Sequence, residues 1–79
     1  MPSGMKLETL IKNKRKIFIS RMYETSLEYQ QKTLKIAEQL GDKGLLVGLN
    51  SDIGTSYYFL GKYKLSLKYQ QKALSWLRR

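Results

Sequence analysis

Seventy-nine residues make one domain at most, near the size below which a single core needs staples. The chain has no cysteine and no histidine, which excludes a disulfide framework, a thiolate metal site, the commonest general base and the commonest transition-metal ligand. A net charge of +9 attracts an acidic protein, a nucleic acid or an anionic membrane surface, or else keeps solvated helix faces soluble.

The opening Met1-Pro2-Ser3-Gly4-Met5 leads into a charged segment, unlike a signal peptide. Basic residues over 5–22 are compatible with a transit peptide, but Glu8 and the preference for lysine over arginine count against one. No apolar run approaches the ~20 residues of a membrane span. A cytoplasmic protein without a membrane partner is expected. Apolar spacing and punctuation predict helices over about 5–21, 23–40, 43–60 and 63–78. The first carries Lys6, Lys12, Lys14, Arg15, Lys16 and Arg21 against Glu8, so residues 1–22 stand at +5. The second places Tyr23, Leu27, Leu34 and Ala37 on one stripe and Glu24, Glu28, Lys32 and Lys35 mainly opposite. Residues 23–42 stand at −2. Leu40-Gly41-Asp42 then ends that helix with a glycine suited to the left-handed C′ position and an aspartate suited to cap the next. The third segment is neutral, with Lys43 against Asp52, and Leu60-Gly61-Lys62 ends it as Gly41 ended its predecessor. The last, residues 62–79, carries +6 and no acid.

A repeat organises these elements. Tyr23-Glu-Thr-Ser-Leu-Glu-Tyr-Gln-Gln-Lys-Thr-Leu34 matches Tyr63-Lys-Leu-Ser-Leu-Lys-Tyr-Gln-Gln-Lys-Ala-Leu74 at eight of twelve positions, with a constant offset of 40. Self-similarity at that period is the mark of stacked helical units, none of which buries its apolar face alone. The copies differ at their entry: Arg21-Met22 stands where Gly61-Lys62 stands later.

On these residues the chain resembles the tetratricopeptide repeat family. That family's first helix carries a large residue, a leucine-glycine pair and a tyrosine; here Asn50, Ile53-Gly54 and Tyr57 hold those places. Its second helix carries small, aromatic and small residues, here Ser66, Gln70 and Ala73, with Tyr69 beside the glutamine to supply bulk. Leu40-Gly41-Asp42-Lys43 matches the linker of a variety with repeats of ~40 residues. The match covers residues 23–74 and weakens before them, where Asn13-Lys14 replaces Ile53-Gly54 and Ile17 replaces Tyr57. The resemblance implies an all-α fold of two tandem antiparallel helical hairpins, four helices in one domain over 1–79. Residues 3–42 would be a degenerate first repeat and 43–79 the second. Gly54, Ser66 and Ala73 would let backbones approach, and Tyr57, Leu67 and Leu74 would fill the space between helices.

It also implies a binding module rather than an enzyme. No glycine-rich phosphate loop, nucleophile elbow or metal-ligand spacing appears, and no cofactor is expected. Tyr23, Tyr57 and Tyr63 are expected to pack. By the family's geometry Lys12, Arg15 and Ile19 of the first helix, with Ser51, Thr55 and Tyr58 of the third, would line a groove for a partner protein or peptide, an acidic one in particular, since Arg15 can grip a carboxylate. The lysine and asparagine arrangement by which some members hold a C-terminal carboxylate is not reproduced. Nucleic acid ranks second as a partner, through electrostatic contacts at Lys14-Arg15-Lys16. Trp76 and Leu77 end the chain inside an apolar stripe, so a homo-oligomer formed through them is a third expectation.

Overall fold

The computed structural model describes the backbone of residues 3–78 and the side chains of residues 14–78. The described chain is helical between its turns, as expected, but it holds three helices rather than four: α1 (Ser3–Leu40), α2 (Lys43–Phe59) and α3 (Tyr63–Leu77). The expected turn at 21–22 does not form, and α1 runs through it for 38 residues. The cause is local. Gly61 sits at φ 79°, a left-handed conformation that glycine adopts at little cost. Arginine and methionine, at the matching positions, both favour helix. Two tandem hairpins therefore give way to one hairpin, α2–α3, lying against the second half of a long helix.

The other two turns form as their residues dictate. Gly41 takes φ 68° and the Asp42 side chain accepts a hydrogen bond from the Leu45 N–H at 3.1 Å, which relieves one of the unpaired donors at the start of α2. After α2, the Lys62 N–H donates to the Tyr57 carbonyl at 2.9 Å and the Gly61 N–H to Tyr58 at 3.0 Å, the reversed bonds of a glycine-terminated helix.

α2 is the central element. Ile53 and Leu46 are its fully buried side chains. Toward α1, the Ser56 hydroxyl donates to Gln30 at 3.1 Å, Gln31 donates to the Tyr57 hydroxyl at 3.0 Å, and Tyr23 stacks on Phe59 at 5.0 Å. These pairs make the two helices antiparallel, with Leu27 and Ala37 buried between them. Toward α3, Tyr57 stacks on Tyr69 at 5.6 Å and Gln70 donates to the Ser51 carbonyl at 3.4 Å. Gly54, Ser66 and Ala73 are buried along that seam, as the small-residue pattern requires. Leu67 and Leu74 are not between helices; both are more than half exposed, on the outer side of α3. The molecule measures 62 × 20 × 14 Å, its long axis matching the ~57 Å of a 38-residue helix. Among the described residues no helix is long and apolar enough to cross a membrane.

Candidate partner-binding surface

Where α1 passes the α2–α3 turn, a hollow opens between them. Arg15, Lys16, Ile19 and Ser20 line it from α1, and Phe59, Leu60, Gly61 and Tyr63 from the turn. Its position follows from two causes already described. The unbroken α1 continues past the end of α2, and Gly61 turns the chain sharply enough to bring Phe59 and Tyr63 to one edge. Four aromatic rings support that edge in series. Tyr23 stacks on Phe59, Tyr58 meets Phe59 edge-on at 5.6 Å, and Tyr58 meets Tyr63 edge-on at 5.5 Å. Offset and edge-to-face contacts of this kind hold rings beyond their area burial, yet Tyr58, Phe59 and Tyr63 each remain more than half exposed. The floor is thus apolar and aromatic, and two exposed cations rim it.

The six side chains expected to share one groove are distributed differently. Arg15 and Ile19 line the hollow together. Lys12 lies outside the residues whose side chains are described. Ser51, Thr55 and Tyr58 run along α2 and none of them lines it. The Ser51 carbonyl receives Gln70 of α3 and also the Thr55 hydroxyl, at 3.1 Å, so this strip of α2 borders the α3 seam. Tyr58 joins the hollow only at second hand, through its contacts with Phe59 and Tyr63. Tyr23 and Tyr57 pack as expected, whereas Tyr63 packs by one edge and presents the rest of its ring. The hollow's other residues are Lys16 and Ser20 of α1 and Phe59, Leu60, Gly61 and Tyr63 of the turn, and the turn's signal in the sequence is the aromatic pair set directly against Leu60-Gly61.

A second, smaller hollow lies at the opposite end, between Leu34 and Glu38 of α1, Leu46 and Asn50 of α2, and Lys72, Ser75 and Trp76 of α3. Trp76 of α3 lines this hollow and is half-buried, while Leu77 is exposed. Asn50 is buried; its amide donates to the Leu46 carbonyl at 2.7 Å and its own carbonyl has no partner. Nearby, partial burial, and secondarily the electrostatic influence of Tyr57 and Glu38, pushes the Tyr69 hydroxyl above its ordinary value of 10.0, and the Lys72 ammonium sits 4.9 Å from the Tyr69 ring centre. No group of three side chains that could hold a metal ion occurs among the described residues. Compared with known proteins, the chain matches no family model, no curated relative and no solved structure.

Proposed function

We propose that the protein is an interaction module, akin to the tetratricopeptide adaptors that its α2–α3 residues resemble, and that it holds a segment of a partner protein in the hollow beside the α2–α3 turn. One observation carries this reading: an exposed aromatic floor, Phe59 and Tyr63, is rimmed by Arg15 and Lys16. Clustered exposed apolar surface with a polar rim is the pattern of protein docking sites. The rim selects for charge, since guanidinium and ammonium groups favour carboxylates and reject cations. The fitting ligand is a short segment with an apolar anchor and acidic flanks.

A second reading has its own support. Lys14, Arg15 and Lys16 are all exposed, and such a run attracts phosphate backbones without regard to sequence. Capture from source-cell lysate separates the two. Proteins retained after nuclease treatment, and lost with Arg15→Glu plus Tyr63→Ala while helicity is kept, support the hollow. Unchanged capture by that variant removes it as the site, and capture that vanishes with nuclease makes the basic run the working surface.

A further inference from the structure

The two copies of the repeated twelve residues turn different but overlapping faces to α2, with Gln30 and Gln70, equivalent in the repeat, both bonded to it. In α3, Ser66 and Ala73 are buried against α2, whereas Leu67 and Leu74 are open. In α1 the arrangement is reversed: Leu27 is buried against α2, while Ser26 and Tyr29 are open, Tyr29 at 72% exposure. Near-identical sequences have the same two faces, so the open side of α1 is one that accepts a helix when a helix is available. In α3 the helix on that side is α2, antiparallel to it. The segment standing 40 residues before α2 is residues 3–19, within the first half of α1 itself. It cannot fold back onto residues 23–40 of its own chain, because α1 is continuous.

The open side extends beyond the repeat. Ile19, Met22, Ser26, Tyr29, Ile36 and Leu40 fall along one stripe, in heptad-like steps of three and four with Thr33 between, and the five large ones are 49–72% exposed. A helix stripe of that length left to water is an association surface. Charge decides its partner and orientation. Residues 1–22 carry +5 and residues 23–42 carry −2. Two α1 helices laid antiparallel put +5 against −2 twice, whereas a parallel pair puts +5 against +5. The outer side of α3 is a poorer seat for the same segment, because residues 62–79 carry +6.

We infer that the protein forms a two-fold dimer through antiparallel α1 helices, each copy laying its first half along residues 23–40 of the other. The stripe is self-complementary, as a two-fold interface requires. Met22 of one copy meets Met22 of the other at the centre, Ile19 meets Ser26, and Arg15 faces the open Tyr29 ring. This goes beyond partner binding and does not rest on it: Met22, Tyr29 and Ile36 lie outside the hollow, while Arg15 and Ile19 belong to both surfaces.

Sedimentation equilibrium of the full chain tests the pairing. At about 100 µM in low salt a species of twice 9.3 kDa is expected, weakening as salt rises. Tyr29→Glu with Ile36→Glu should weaken association at least about tenfold without loss of helicity or of lysate capture. Because the chain has no cysteine, single introduced cysteines report geometry directly. Met22→Cys should oxidise to a linked dimer, and Tyr29→Cys and Leu67→Cys should not. A monomer at that concentration overturns the inference. So does ready self-linking of Tyr29→Cys, which means a parallel pair, or of Leu67→Cys, which moves the interface to α3.

Discussion

Two glycines of α2 should respond in opposite directions to the same substitution. Alanine in place of glycine inside a helix gains about 1 kcal/mol from backbone propensity alone. At Gly48 nothing lies within 4 Å of an added Cβ, so Gly48→Ala should keep that gain and raise the melting temperature by about 4–8 °C. At Gly54 the added carbon would stand 2.7 Å from the Gln70 amide nitrogen and 3.0 Å from its Cδ and Cγ, well inside the ~3.5–4.0 Å of an ordinary contact. Gln70 must swing aside, giving up its bond to the Ser51 carbonyl, or α3 must move outward. Overpacking costs about 1–3 kcal/mol and a net hydrogen bond about 0.5–1.5. With both costs incurred, Gly54→Ala should therefore destabilise by roughly 0.5–3.5 kcal/mol once the ~1 kcal/mol propensity gain is subtracted. Thermal melts followed by far-ultraviolet circular dichroism, at one protein concentration so that association contributes equally, measure both. Adding Gln70→Ala to Gly54→Ala should recover part of the loss, a non-additivity expected only of residues in contact. If Gly54→Ala stabilises as much as Gly48→Ala, α2 and α3 are not in the close approach described.

Asp42→Ala removes the cap on α2 and should cost about 1 kcal/mol, with Asp42→Asn retaining most of it; chemical denaturation distinguishes them. Asn50→Leu should be neutral or stabilising by about 1 kcal/mol, since it removes a buried carbonyl without a partner while the Leu46 carbonyl keeps the backbone bond of its helix. Denaturation midpoints check this, and a loss above about 2 kcal/mol would mean that the Asn50 carbonyl is satisfied in solution. Arg21→Gly with Met22→Lys gives α1 the entry dipeptide that precedes Tyr63, and should open the helix there. Amide exchange around residues 21–25 should accelerate and the antiparallel dimer should dissociate; unchanged exchange and unchanged mass would show that the missing glycine is not what keeps α1 continuous.

How much of this was readable beforehand depended on whether the deciding cause was local. Gly41, Asp42 and Gly61 act within a turn of their own position, and both turns and the cap formed where those residues stand. Gly54, Ser66 and Ala73 also read correctly, because smallness at helical spacing has one use, close approach. The fourth helix came from a different kind of argument. It was carried over by an offset of 40 from a place with a glycine to a place without one, and periodicity could not correct it, since the apolar steps of α1 continue unbroken through Arg21 and Met22. The expected groove rests on the same step. It sets Lys12, Arg15 and Ile19 against Ser51, Thr55 and Tyr58 on the supposition that a first hairpin folds back. Without that fold, Arg15 and Ile19 meet the α2–α3 turn instead, and Ser51 and Tyr58 remain with α3. Leu27 and Leu67 make the physical point most sharply. They are the same residue at the same place in the repeat, one 8% exposed and the other 59%. Nothing within either helix separates them. Burial belongs to the neighbour that arrives, and each copy's open face marks where this chain has apolar surface and no neighbour of its own to supply.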